Sequence, residues 1–190
     1  LEGDAFIANG LLELDGSNDY VNTGPDTLAF NQGLTIEATI RPTGSSSANG
    51  GIIVNSEGAF EIARYPDGTI RWAFANTSPG WHWVNTGFVA PLNQTTNIIV
   101  SYDVVANEVR TFANGDLVHT QSITGLIGDL FNNPIEDDIW IGGRPLVFQY
   151  FQGSIDEVRI YEIALTQSDV DRFSAPTSLN NIIGVSTVIA

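Results

Sequence analysis

The sequence predicts an all-β fold, an antiparallel β-sandwich (jelly roll) with one short C-terminal helical turn. Segments in which apolar and polar residues alternate recur along the chain, for example at 34–41 and 96–103, and this alternation is typical of half-buried strands. The pairs Asp67-Gly68 and Asn114-Gly115 lie between such segments and favour hairpin turns. Many strands with a single late helical segment indicate a sandwich.

The predicted strands follow one another with turn-forming residues between them. After the first strand, residues 15–19 form a tight polar turn, and the Gly/Ser-rich stretch 43–51 predicts a loop. The last strand alternates with one irregular step. A helix is indicated only at 166–173, where Thr166 can act as a cap with Asp169 three residues later. In chain order, the predicted strands are 11–14, 20–21, 34–41, 52–55, 60–64, 70–75, 81–88, 96–103, 109–113, 117–121, 138–142 and 155–161.

The length and composition predict one folded domain. A chain of 190 residues, of which 43% are hydrophobic, is long enough to bury its own core and is not disordered throughout. We place the domain at 1–175. We expect 176–190 to be a linker, with a terminal edge segment as the alternative. Because the chain has neither an initial Met nor a signal peptide, we expect a monomeric module of a longer protein.

The charge balance is strongly acidic, with 22 acidic and 7 basic residues and a net charge of −15. This disfavours a nucleic-acid partner, because phosphate binding requires basic side chains. An excess of carboxylates suits solubility or calcium binding. The chain has no cysteine, which excludes disulfides and thiolate metal sites, and no apolar run approaches the roughly 20 residues of a membrane helix. We expect an extracellular or cell-surface protein of bacterial origin that is not inserted in a membrane.

Four phrases in order resemble those of one known family. They are LELDGSNDYV at 12–21, LTIEATIRP at 34–42, IIVSYDVVANEVRTFANGDLV at 98–118 and FQGSIDEVRIYEIALT at 151–166. Together they make the chain, from about residue 11 to about residue 173, similar to the laminin G-like, concanavalin A-like jelly-roll family. The resemblance implies the sandwich fold already indicated by the strand pattern.

The resemblance also implies a structural calcium ion. In jelly-roll domains of this kind an aspartate of the last strand holds the ion together with backbone carbonyls, and Asp156 matches that position. Its implied companions are the carbonyls around Asn31 to Gly33, with Gln32 between them, and Asp15 and Asp19 are weaker candidates. Calcium takes about 6 to 8 oxygen ligands. The alternatives are that Asp156 pairs with Arg41 or Arg159, and that Asp15 and Asp19 are ordinary turn residues.

Two loops carry the chemistry of a sugar site, which needs exposed aromatic rings beside polar groups. One lies within 76–85, with Asn76, Trp81 and Trp83 as candidate contacts. If a strand runs through both tryptophans they share a face, and we expect Trp83 inside and Trp81 at the rim, with both inward as the alternative. The other loop, 143–152, offers Arg144, Phe148 and Tyr150, whereas Phe151 leads into the last strand and is expected in the core.

Catalysis is not expected. The E-x-D-x-x-E pattern of retaining glycosidases does not occur, Glu136 to Asp138 form a consecutive acidic turn, and His82 and His119 have no nucleophile motif nearby. We therefore expect a calcium-stabilised module that binds glycans of a cell or polymer surface, within a bacterial adhesin or multimodular secreted protein. A protein-binding or architectural spacer module is the alternative, and a divergent glycan-cleaving enzyme is the third.

Overall fold

A computed structural model describes residues 1–25, 33–128, 138–174 and 188–189. A short 3-10 turn, Pro145–Val147, and one helix, α1 (Gln167–Ser174), accompany the strands. The strands are β1 (Phe6–Ala8), β2 (Leu11–Asp15), β3 (Val21–Pro25), β4 (Leu34–Pro42), β5 (Gly51–Ser56), β6 (Phe60–Arg64), β7 (Thr69–Phe74), β8 (Val84–Val89), β9 (Thr96–Asp103), β10 (Glu108–Ala113), β11 (Asp116–Ser122), β12 (Asp138–Ile141), β13 (Gly143–Arg144), β14 (Gln149–Tyr150), β15 (Gln152–Tyr161) and β16 (Val188–Ile189).

The strands form two large antiparallel sheets and one small hairpin. The eight-stranded sheet has the order β1-β2-β15-β4-β9-β10-β11, and β16 pairs with β15. The six-stranded sheet has the order β3-β12-β5-β6-β7-β8, and β13 pairs with β14 in the hairpin. This confirms the predicted antiparallel sandwich with one short helix.

The core lies between the two sheets. Alternate residues of each strand point into it, because successive side chains of a strand face opposite sides. The eight-stranded sheet contributes Ile36, Ile40 and Val100, and the six-stranded sheet contributes Phe60, Ile62, Trp72 and Phe74, all fully or almost fully buried. On its other face the eight-stranded sheet carries a second apolar cluster that includes Val170 of α1, so the helix covers that face.

The last strand of the domain, β15, contains a β-bulge. Its pairing with β4 shifts between Ile155 and Glu157, which leaves Asp156 outside the regular ladder and exposed. This bulge is the irregular step that the sequence pattern predicted. Further along, Arg159 lies 3.2 Å from the buried Glu37 of β4, which also accepts a hydrogen bond from Tyr161.

Most strand positions agree with the predictions, and the differences are local. Residues 6–8 were not predicted as a strand, and the expected loop 143–152 contains the short hairpin β13–β14. Of the segment 176–190, only 188–189 are described, and they pair with Val158 and Arg159. Within the described parts of the chain, no helix has the length and apolar character needed to cross a membrane.

Candidate ligand-binding face

The side of the six-stranded sheet that faces away from the core carries polar and aromatic side chains. We call it the outer face. Residues directly opposite each other in an antiparallel pair point to the same side, and Asn55 of β5 lies opposite both Trp140 of β12 and Glu61 of β6. A second row across the same face runs through Ile52, Ala63, Arg71 and Asn85.

One end of the outer face is aromatic. Tyr65 follows β6, and its ring centroid lies 5.5 Å from that of Trp83 in an edge-on contact. The guanidinium carbon of Arg71 lies 3.9 Å from the Tyr65 ring centroid, a cation–π geometry. All three side chains are half-buried, and we call them the aromatic platform. Asn85, opposite Arg71 in the sheet, is exposed at its edge.

A turn at the end of β6 fixes the orientation of Arg71. The Asp67 carboxylate accepts hydrogen bonds from the backbone and hydroxyl of Thr69 and lies 2.8 Å from Nη2 of Arg71. The Thr69 hydrogen bonds lower the pKa of Asp67, so this carboxylate stays ionised. Burial raises the pKa of Tyr65, so its hydroxyl stays protonated and can donate a hydrogen bond.

The other end of the outer face is a buried polar row, Asn55, Glu61 and Trp140. None of the three side chains is more than 6% exposed. Arg144 of β13 reaches over the row, and its Nη1 lies 2.8 Å from Oε1 of Glu61. The same guanidinium donates to both oxygens of Glu57, from Nε at 2.6 Å and from Nη2.

The environment of Glu61 favours its protonated form. Burial, with a further contribution from the Glu57 charge, raises the pKa of Glu61 to about 7, and the opposing effect of Arg144 does not cancel this. The hairpin that carries Arg144 is held by a second contact, in which Nε2 of the buried Gln149 donates to the Asn49 carbonyl at 2.5 Å. The contacts of its guanidinium with Glu57 and Glu61, and the hydrogen bond from Gln149 of its hairpin, therefore fix Arg144 beside the polar row.

The structure changes the roles expected for the loop within 76–85. Asn76 is fully buried, where its amide donates to the Tyr102 hydroxyl at 2.9 Å and to the Ser78 carbonyl and accepts from the Gly80 N–H. It holds the loop and is not a rim residue. The strand β8 begins only at Val84, so alternation does not apply to 81–83. Trp81 is half-buried, and Trp83 lies in the aromatic platform, so the prediction that Trp83 is in the core was wrong.

The loop 143–152 also differs from expectation in one respect. Tyr150 is only 6% exposed and packs against Gly143, where an added Cβ would lie 2.8 Å from the tyrosine ring, so it is not a rim residue. Phe151 is fully buried, as predicted. Phe148 is 74% exposed, and it forms an apolar tip with Leu146 and Val147.

Asp156, the calcium ligand that the resemblance implies in the last strand, lies far along β4 from Gly33. Asp156 is exposed in the bulge opposite Thr39 and Ile40, whereas Gly33 packs against Ala164 at the far end of β4. Six residues of strand separate Thr39 from Gly33, which corresponds to about 20 Å. Asn31 and Gln32 lie outside the described residues.

The remaining acidic candidates have structural roles. Asp19 is buried, and its two carboxylate oxygens accept hydrogen bonds from the backbone of Asp4 and Asp15. Asp15 accepts from the Ser17 N–H, as a turn residue does. Arg159 contacts Glu37 and Glu157 rather than Asp156. In the described part of the chain, no group of three or more His, Cys, Asp or Glu could hold a metal ion.

Sequence reasoning named two residues of the outer face, Trp83 and Arg144, and missed the others. Glu61 stands between Phe60 and Ile62 in the strand FEIAR, and alternation places it on the side opposite both. That is a signal for a polar residue on the outer side of the sheet. The burial of Asn55 and Trp140 has no local signature in the sequence.

Comparison with solved structures shows similarity to binding domains. Domain 4 of AbnA, a GH43 extracellular arabinanase from Geobacillus stearothermophilus solved with arabinotriose, is 21% identical with a TM-score of 0.66, over 91% of this chain and 82% of that one. The receptor-binding domain of the botulinum neurotoxin C/D mosaic serotype is 16% identical with a TM-score of 0.69, over 92% and 45%. A Bacteroides ovatus protein proposed to bind carbohydrate is 18% identical with a TM-score of 0.61, over 80% and 44%.

These identities show a shared fold. This chain spans less than half the length of the toxin domain and of the Bacteroides protein. No curated protein matches the chain. A family model described as the concanavalin A-like lectin/glucanases superfamily, of the laminin G type, matches residues 15–171, and the chain belongs to this family.

Proposed function

We propose that this domain is a carbohydrate-binding module and that it binds glycans on the outer face of the six-stranded sheet. The observation that carries the proposal is the aromatic platform, in which Tyr65 and Trp83 are partly exposed beside Arg71. Sugar rings present apolar C–H surfaces bordered by hydroxyls, and an aromatic ring with hydrogen-bonding neighbours is complementary to both. Asn85 and Arg71 supply those neighbours.

The solved structures support a glycan ligand. The arabinanase domain was solved with arabinotriose, and it covers nearly the same length as this chain. We propose by analogy that this domain also works outside the cell, at a cell or polymer surface, as one module of a longer bacterial protein such as an adhesin. Calcium stabilisation remains a proposal that rests on the family resemblance and on the exposed carboxylate of Asp156.

The proposal is for binding without catalysis. A retaining glycosidase needs a free carboxylate nucleophile about 5 to 5.5 Å from an acid. On the outer face, the Glu57 carboxylate is held by two hydrogen bonds from Arg144, and Glu61 is buried against the same guanidinium. Both carboxylates thus share one positive charge, and this supports a structural or binding role for them.

The apolar tip favours a second candidate function, binding of a polypeptide. Leu146, Val147 and Phe148 are consecutive and exposed, and the hairpin beneath them is held by Arg144 and Gln149. An exposed apolar group on a fixed support is typical of a protein contact. In that case Phe148→Ala weakens binding of the partner while Trp83→Ala does not.

A glycan array with purified wild-type and variant domains tests the first proposal. We expect the wild-type domain to bind at least one glycan class and Trp83→Ala to lose roughly ten-fold or more in affinity, as removal of an aromatic contact does. The matched control is Phe6→Ala, because Phe6 is an exposed aromatic on β1 of the other sheet. Absence of glycan binding by the wild-type domain, or equal loss in both variants, would overturn the proposal.

A further inference from the structure

The buried polar row holds most of the buried side-chain atoms that lack a hydrogen bond in the described part of the chain. Among the described residues, seven buried side-chain nitrogen and oxygen atoms lack a hydrogen bond. Four of them belong to the row: Nδ2 and Oδ1 of Asn55, Oε1 of Glu61 and Nε1 of Trp140. Buried polar groups are nearly always paired, and leaving one unpaired is unfavourable. Their concentration in three adjacent residues therefore indicates that the row has a role other than stabilising the fold.

The row offers donors and acceptors side by side. Asn55 lies between Trp140 and Glu61 in the sheet, so its amide has a neighbour on each side at the spacing of paired strands. Trp140 presents an N–H donor, Glu61 a carboxyl oxygen, and Asn55 presents one of each kind. Glu61 Oε1 contacts Arg144 Nη1 at 2.8 Å without the alignment of a hydrogen bond.

The charge of the row selects a neutral ligand. Arg144 balances one of the two carboxylates that it contacts, and the second, Glu61, is the more buried. Burial raises the pKa of Glu61 to about 7, so the surroundings carry little net charge near neutrality. A phosphate or a free cation would leave uncompensated charge in a buried place, which is costly. A hydroxyl group both donates and accepts and carries no charge.

We propose that Asn55, Glu61 and Trp140 form a second subsite of the glycan-binding face, which recognises sugar hydroxyl groups beneath Arg144. A hydroxyl in the row accepts from Nε1 of Trp140 or Nδ2 of Asn55 and donates to Oδ1 of Asn55 or to the Glu61 carboxyl group. The subsite rests on the proposed function, because β6 carries Glu61 at one end and leads into Tyr65 of the aromatic platform at the other. The platform holds a sugar ring, and the row determines which hydroxyls are accepted.

A ligand reaches the row only by displacing its cover. Arg144 contacts Glu61 of the row, the hairpin β13–β14 packs on β5, and the Asn55 side chain has no exposed surface. The subsite therefore has a closed and an open form. Hydrogen bonds between a sugar and the row offset the loss of the contact between Arg144 and Glu61. A sugar without the matching hydroxyl does not make those hydrogen bonds and leaves this loss uncompensated.

The four tryptophans of this chain provide the test, since each has one indole N–H that NMR can observe. Trp140 reports on the row, and Trp81 and Trp83 report on the loop and the platform. Trp72 is the internal control, because its Nε1 is also buried and unpaired among the described residues, but its ring faces the core between the sheets. The probe is a panel of free monosaccharides and trisaccharides at millimolar concentration, with signals assigned by single Trp→Phe variants.

We expect at least one sugar to shift the Trp140 and Trp83 signals together and to leave Trp72 unchanged. A shift at Trp83 without one at Trp140 would overturn the subsite and leave the proposed function intact. No shift at Trp81, Trp83 or Trp140 would overturn both.

Asn55→Ala separates recognition from structure. The variant removes polar atoms that have no hydrogen-bond partner among the described residues, so we expect its melting temperature to fall by less than that of Asn76→Ala, which deletes the same atoms at a buried site and also removes three hydrogen bonds. We expect it also to bind the sugar roughly ten-fold or more weakly and to lose the Trp140 shift. A variant destabilised as much as Asn76→Ala would show that Asn55 has a structural partner. A variant with unchanged sugar affinity would show that the row binds no ligand. Either result overturns the proposal.

Discussion

Nη1 of Arg144 lies 2.8 Å from Oε1 of Glu61, so a residue of the β13–β14 hairpin is ion-paired with the start of β6. The pair connects the hairpin to the outer face of the six-stranded sheet. It also places a titratable group with an unusual pKa in the polar row, and this has a measurable effect on stability.

The free energy of unfolding is predicted to fall as the pH rises from about 5 to about 8. The ordinary pKa of Glu61 is 4.5, and its pKa in the folded domain is raised to about 7, mainly by burial. Between these values the folded state binds more protons than the unfolded state, so stability present below the lower value is lost as the pH passes the higher one. The loss amounts to about 3 kcal/mol.

Urea denaturation across this pH range measures the effect. Glu61→Gln is the matched control, because glutamine has the same shape and does not titrate in this range. The difference in unfolding free energy between the two proteins should change with pH and level off above about pH 8. Parallel curves for the two proteins would show that Glu61 is ionised in the folded domain throughout.

Alanine substitutions of two asparagines nine residues apart, Asn76 and Asn85, are predicted to have opposite effects on stability and on glycan binding. Asn76→Ala should lower stability by about 1–3 kcal/mol, because it removes the buried amide that donates to the Tyr102 hydroxyl and the Ser78 carbonyl and accepts from the Gly80 N–H. Asn85→Ala should change stability little and weaken glycan binding, since Asn85 is exposed beside Arg71. Thermal melts and a glycan titration distinguish the two. A stable Asn76→Ala variant with weakened binding would show that Asn76 contacts the ligand, as predicted from the sequence.

A calcium ion held by Asp156 is predicted to raise the melting temperature. A ligand specific to the folded state adds about 2.7 kcal/mol at a concentration 100 times its Kd. Melts in calcium and in EDTA should therefore differ for the wild-type domain and agree for Asp156→Ala. Glu157→Ala is the control, because this neighbouring carboxylate pairs with Arg159 and should retain the calcium effect. Identical wild-type melts in calcium and in EDTA would show that no structural calcium is present.

The fold could be predicted from local patterns, and the site could not. Alternation specified the strands because one face of each is buried, and even the bulge at Asp156 is visible as an irregular step in 155–161. The burial of Asn76 depends on Tyr102, which lies 26 residues further along the chain. Trp83 could not be placed, because its position depends on β8 beginning at Val84 and on contact with Tyr65, which follows β6.

A map of backbone amide shifts in the labelled domain, on titration with the glycan that an array selects, directly tests glycan binding on the outer face. We expect the largest shifts to fall on the outer face of the six-stranded sheet, around Tyr65, Arg71 and Asn85, and to extend to Glu61. Shifts confined to the apolar tip at 146–148, or to the eight-stranded sheet, would contradict this expectation.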